Sequence, residues 1–187
     1  MNIHIRKAVP SDAPVAVPLI INAIGNIAEQ MTGETEPIAV EQELIGLFNR
    51  KDNRHSFLTT VVAERDGVVA GVMVLYSGER AIELDRNLVN WLRSKTGENI
   101  VIPPEARLDE YYIDTVSVHP DFRGQGIGSR LLNHAEKIAQ EAGFEKLTLN
   151  VELEKAAAIR LYERIGYRVS EPWTIYGGAF HHMVKDL

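Results

Sequence analysis

The residues best suited to chemistry lie in one stretch, Val116-Ser117-Val118-His119-Pro120-Asp121-Phe122-Arg123-Gly124-Gln125-Gly126-Ile127-Gly128. A strand-like run ends at His119-Pro120, because proline lacks the amide that a ladder needs. Three alternating glycines follow, and then an amphipathic run begins. Glycines allow close approach of a backbone to a ligand. A helix start adds unpaired N–H groups and the positive end of the helix dipole. Together these make an anion cradle, most naturally for phosphate, with Arg123 as a fixed positive charge at its rim. Two nucleotide patterns fail. Gly128 is followed by Ser129-Arg130 rather than by Lys-Ser/Thr, and the glycine spacing is G-x-G-x-G rather than G-x-G-x-x-G.

The elements that must position this loop follow from periodicity and punctuation. Residues 3–8 read as a first strand, with Ser11 and Asp12 offering caps for a helix over 13–30 whose start Pro14 and Pro18 disturb. Gly33 breaks the chain before a second helix over 39–49. Residues 57–64 and 68–76 form a hairpin around Asp66-Gly67. Residues 77–110 read as an insertion with one helix over 85–95, capped by Asp85. Residues 111–118 are a strong strand, and period two places Asp114 on one face with Tyr112, Val116 and Val118. A clean amphipathic helix over 129–142 ends at Gly143. A strand over 146–151, a helix over 155–165 closed by Gly166, and strands over 167–169 and 180–185 complete the chain. Tyr176-Gly177-Gly178 reads as ordinary hairpin chemistry rather than a loop over a substrate mouth.

Composition narrows the function classes. The chain has 187 residues, 25% of them charged and 45% hydrophobic, which suits one globular domain over 1–187 and argues against disorder. The net charge of −6 disfavours broad nucleic-acid backbone binding, which needs excess positive field. There is no cysteine, so disulfides and cysteine nucleophiles are excluded and a reducing, cytoplasmic setting is compatible. The opening MNIHIRKAVPSDA has no apolar stretch, so no signal peptide is expected, and no run is long enough for a membrane span. His181 and His182 are adjacent in a strand and face opposite sides. No other cluster has ligand spacing, so no metal is expected.

Arg123-x-x-Gly126-x-Gly128 resembles the acetyl-CoA signature of the GNAT N-acetyltransferase superfamily. The resemblance extends to Ile5-Arg6-Lys7-Ala8 with Asp12, to the Asp66-Gly67 hairpin, to Val116-Ser117-Val118-His119-Pro120, and to Leu161-Tyr162-Glu163-Arg164-Ile165-Gly166-Tyr167. It implies an α/β fold of α+β type: a mixed, mostly antiparallel sheet of about seven strands flanked by helices. It implies acetyl-CoA as cosubstrate, its pyrophosphate held by amides of Arg123, Gly124, Gln125, Gly126, Ile127, Gly128 and Ser129. Backbone groups of Val116, Ser117 and Val118 would pair with the pantetheine arm as an added strand. The thioester would lie between Val118 and Asn150. Tyr162 is the implied acid toward the leaving sulfur. Asp114 and Glu110 are alternative bases, with Glu152 a third. Lys155 departs from the pattern, standing where the family often has Asn, and either meets a CoA phosphate or faces solvent. The implied reaction is direct acetyl transfer to a primary amine, with no acetyl-cysteine intermediate. The carboxylates at Glu105, Asp109, Glu110 and Asp114 lean toward a small cationic acceptor; protein N-termini or lysines, and a noncatalytic acyl-CoA sensor, are the alternatives. Similar proteins often form homodimers. No nucleic-acid or membrane partner is implied.

Overall fold

The computed structural model describes residues 2–187. Among them, seven strands form one sheet in the order β1-β2-β3-β4-β5-β7-β6. The strands are β1 Ile3–Lys7, β2 Thr60–Arg65, β3 Val68–Ser77, β4 Tyr111–Val118, β5 Lys146–Glu152, β6 Arg168–Ile175 and β7 Gly178–Asp186. The helices are α1 Ala13–Ile24, α2 Ile27–Thr32, α3 Pro37–Asn49, α4 Gly78–Thr96, α5 Ile127–Glu141 and α6 Ala156–Arg164. Every pairing is antiparallel except β4 with β5. This is the mixed, mostly antiparallel sheet the sequence implies. No described helix is long and apolar enough to cross a membrane.

The central strands are apolar on both faces because both faces are covered. On β3, Val72, Val74 and Tyr76 pack with Val17, Ile20, Leu44, Phe48, Leu88 and Leu92 from α1, α3 and α4. The intervening Met73 and Leu75 pack on the other face with Leu131, Leu132, Ala135 and Ala139 of α5. Period-two alternation thus serves two cores at once, and the α5 stripe read from sequence is the one that is buried.

Several features differ from the sequence reading, among them β6, which runs over Arg168–Ile175 rather than 167–169. The helix expected over 13–30 is two helices, because Gly25 takes φ +55° and ψ −131° and stops α1. Pro14 disturbs nothing, since the first turn has no use for its amide. α4 starts at Gly78 rather than at residue 85; Ser77 Oγ accepts from the Arg80 amide as its cap, which frees Asp85 for another role. Phe57–Thr59 is a turn of 3-10 helix before β2. The last difference governs the site. Val74 pairs with Thr115 and Leu75 with Ile113, so Asp114 is a bulge without a partner on β3. The bulge resets the alternation. Tyr112 joins the core under α1, whereas Val116 and Val118 pack on the α5 side. The single face expected for Tyr112, Asp114, Val116 and Val118 is therefore split.

Gly78 marks how tightly the insertion is seated. Its amide donates to the Glu110 carbonyl at 2.8 Å, and a Cβ there would stand 1.8 Å from the Arg107 carbonyl oxygen. Backbone, not a flexible side chain, is the obstacle. Gly78→Ala is expected to lower stability by about 3 kcal/mol through overpacking, measured as a shifted urea midpoint; an unshifted midpoint would show that residues 105–110 yield freely.

Candidate active site

The cradle is built by local geometry. After β4, a 3-10 turn over Pro120–Phe122 leads to Gly124 at φ +72° and Gly126 at φ +79°, the latter the N-cap of α5. Space does not demand these glycines, since a Cβ on either meets nothing within 4 Å; the left-handed backbone does. The Arg130 amide bonds the Gly126 carbonyl, so the amides of Ile127, Gly128 and Ser129 have no carbonyl of the preceding turn to use. Ile127 is anchored in the core, which fixes the helix start. Arg123 is exposed and its Nε donates to the Val118 carbonyl at 3.2 Å, tying the loop to the end of β4.

The neighbouring cleft exists because β4 and β5 part. Their parallel ladder has three pairs, Tyr111 with Leu147, Tyr112 with Thr148 and Ile113 with Leu149. Beyond these pairs both strands continue apart. A cavity of about 210 Å³ opens between them, its lining including Val116, Asn150, Glu152, Lys155 and Tyr162 as well as Arg54, His55, Glu105, Tyr112 and Asp114. Lys155 Nζ pairs with Glu152 at 2.9 Å at the mouth. Burial pushes the Tyr162 phenol up to about 12, so it keeps its proton.

A buried polar network forms the inner wall. Arg54 is 1% exposed. Its Nε and Nη2 donate to the two Asp85 oxygens at 2.8 and 2.9 Å, and its Nη1 donates to Glu105 and, at 3.4 Å, to Asp114. Burial opposes this charge, but Glu105, Tyr76, Asp85 and Asp114 outweigh it and hold the guanidinium firmly protonated. Tyr76 Oη donates to Asp114 and Tyr112 Oη to Glu105. Asn150 Nδ2 donates to the Glu105 carbonyl at 2.8 Å and to Tyr112 Oη at 3.3 Å. Asn150 Oδ1 faces His182 Nδ1 at 2.7 Å, and His182 Nε2 faces Glu110 at 3.2 Å. His182 also stacks on Trp173.

The sequence-derived candidates therefore fall into groups. Asp114, Val116, Asn150, Glu152, Lys155 and Tyr162 line the cleft. The cradle residues 123–129 sit at the end of β4, next to Val118. Ser117 is buried on the face away from α5. Glu110 does not line the cleft. It is buried with His182, and it accepts from the Arg107 amide at 2.8 Å; although burial works against its charge, these bonds pull its pKa down. Tyr176 and Gly177 form the two-residue turn of the β6–β7 hairpin, both at positive φ. Tyr176 nonetheless borders a second hollow with Asn22, Asn26 and Lys155 at the cleft mouth. Arg54, His55 and Tyr76 were not found from sequence. Arg54 and His55 follow α3 in an unpatterned segment, and no spacing marks them. No group of three His, Cys, Asp or Glu suited to a metal occurs among the described residues.

Comparison with known proteins agrees with this geometry. A family model described as acetyltransferase (GNAT) family matches residues 21–167. An uncharacterized N-acetyltransferase of Methanocaldococcus jannaschii is 35% identical over 82 residues; the match takes in 44% of this chain and 32% of that relative's length. A crystal structure of an acetyltransferase superposes with a TM-score of 0.78 at 29% identity, covering 98% of both chains. The Paia N-acetyltransferase of Thermoplasma acidophilum, solved in complex with coenzyme A, shares the fold with a TM-score of 0.60 at 16% identity, covering 100% of both chains.

The neutral state of His55 has a thermodynamic consequence. The ring is 1% exposed, and burial pushes its pKa down to about 4 from the ordinary histidine value near 6.5. Between those values the unfolded chain takes up a proton that the folded chain refuses. Stability is thus undiminished above about pH 6.5 and is lost as pH falls toward about 4, by roughly 3 kcal/mol in all. Urea unfolding of the wild type and His55→Gln at pH 7, 5.5 and 4.5 checks this. The wild type should lose more stability with acid than the variant; equal losses would refute the buried neutral ring.

Proposed function

Since the chain belongs to the acetyltransferase (GNAT) family, we propose that it transfers the acetyl group of acetyl-CoA directly to a primary amine of a small cationic molecule. The observation that carries this reading is the opening between β4 and β5, which sets Tyr162 and Asp114 on one cavity beside the glycine cradle. The cradle fits a pyrophosphate: Gly124 and Gly126 leave its surface bare, and the start of α5 presents amides there. Residues 123–129 would hold the phosphates. The edge of β4 beyond Ile113, at Val116, Ser117 and Val118, lacks a β5 partner and would pair with the pantetheine arm.

Acetyl-CoA supplies a thioester carbonyl, which an amine lone pair attacks to give an oxyanion and then a thiolate leaving group. The residues divide the remaining work. Asp114 takes the proton that the ammonium must shed, directly or through water. Its position on the cleft favours it over Glu110, which does not line the cleft. Amides of the open β4 edge near Val116 face the developing oxyanion. Tyr162, with its phenol near 12, is a weaker acid than a thiol near 8.5. Its first contribution is a hydrogen bond to the leaving sulfur, ahead of full proton transfer. Three carboxylates around Arg54 suit a cation, and the enclosed cavity suits a small one.

The direct test is thiol release from acetyl-CoA with a panel of amines, beside thermal shift with CoA. Turnover of small cationic amines is expected; strong stabilisation by CoA without turnover of any amine would make the chain a noncatalytic acyl-CoA binder. Tyr162→Phe is expected to lower kcat by about a hundredfold while CoA still shifts the melting temperature as in the wild type. An unchanged kcat would remove Tyr162 from the chemistry.

A further inference from the structure

Buried polar atoms in native structures nearly always have partners, and each exception calls for a cause. Among the described residues the exceptions are both ring nitrogens of His55 and the hydroxyls of Tyr167 and Tyr176. Of these three side chains only His55 lines the cavity between β4 and β5. It is 1% exposed, so bulk water does not serve it.

Its surroundings indicate the sign of the missing partner. Asp85, Glu105 and Asp114 all face the single guanidinium of Arg54, three carboxylates to one cation. The other cation on the cavity, Lys155, is already paired with Glu152 at its mouth. Burial pushes the Glu105 carboxyl upward, which eases the imbalance but supplies no donor to His55. A neutral imidazole has one lone pair and one N–H, and neither has a partner here; the lone pair calls for a donor. A ligand that satisfies the chamber therefore carries positive charge and N–H donors together.

We propose that His55 is the recognition residue of the acceptor subsite, its imidazole accepting a hydrogen bond from the incoming ammonium group while Asp114 balances that group's charge. The proposal rests on the acetyl-transfer reading and narrows its substrate class. The acceptors are amines with no carboxylate beside the amino group. A carboxylate on the adjacent carbon would be carried into a chamber already rich in Asp and Glu, with Arg54 fully engaged. A decarboxylated amine is accepted and the amino acid from which it derives is refused.

The test pairs kinetics with a binding signal that needs no turnover. Amine and amino-acid pairs are compared at saturating acetyl-CoA in the full chain, in His55→Phe and in His55→Gln. The expected result is a KM for amines raised about tenfold in His55→Phe, the loss of one hydrogen bond. The Gln variant, which keeps an acceptor oxygen, should recover part of that loss, and kcat should change less than KM. Nitrogen NMR of the wild-type His55 ring, with CoA bound, is followed as amines are added. Ring signals that move with amines and not with amino acids support the subsite, even if no acetyl transfer is seen, in which case only the transfer reading falls. Ring signals that no amine moves, or an amine KM unchanged in His55→Phe, overturn the proposal and leave His55 to a trapped water.

Discussion

The chain's whole arrangement turns on where one ladder stops. Parallel pairing of β4 and β5 ends at Ile113 and Leu149. Had it continued, Val116 would hydrogen-bond to β5 and no cavity would exist. Two features enforce the parting. The bulge at Asp114 increases local twist just where pairing ends. On the other side, β5 stays in register with β7 as far as Glu152 and Phe180, so β5 follows β7 rather than β4. The sheet thus gives up a few backbone hydrogen bonds to gain an open edge. On the proposed reading, that edge would pair with an extended ligand arm as a substitute strand.

The gap has a second requirement. A polar cavity in the middle of a sheet exposes groups that cannot be left unpaired. Arg54 and its carboxylates answer this at the inner end, with Tyr76, Tyr112 and Asn150 completing the bonds. Such a network is weak evidence of stabilisation, because desolvating ions can cost as much as their pairing returns. Well-packed apolar residues would hold the same elements together at least as well. Its persistence here is better explained by what it presents to the cavity: Asp114 held from one side by Tyr76 and from the other by Arg54, and Asn150 fixed by His182. The Glu110–His182 pair then belongs to the support of Asn150, one layer behind the cleft.

The legible parts of this protein are those written in neighbouring residues. The glycine loop before α5, the apolar stripe of α5 and the Tyr162 helix all depend on local spacing and are legible; the positive φ of Gly124 and Gly126 is not. Nor is the bulge, because its presence depends on the register with β3 rather than on any property of Asp114's neighbours. Arg54 was invisible for a related reason: its partners lie 31, 51 and 60 residues away, and nothing in the sequence around it distinguishes it from a solvated arginine. Asp85 was misread as a cap because a carboxylate at a helix start has a common local meaning, whereas its bidentate hold on Arg54 has none. Distant charge pairing is set by topology, and one sequence does not display topology.

Net charge is the wrong scale for this molecule. An overall −6 says nothing of how charge is placed at the cradle and in the neighbouring cleft. At the end of β4 the field is positive, made by backbone amides and the start of α5 rather than by a basic surface. At the inner wall of the cleft three carboxylates face one guanidinium, with the Glu105 carboxyl pushed upward by burial. Between them the lining is Ile113, Val116, Leu149 and Tyr162, where little charge is fixed. On the acetyl-transfer reading, an anionic donor and a cationic acceptor are each drawn to opposite ends and meet where the medium is least polar. A hydrogen bond aimed there at developing charge is worth more than the same bond in water. An acidic balance and a cradle that suits phosphate are therefore compatible in one chain.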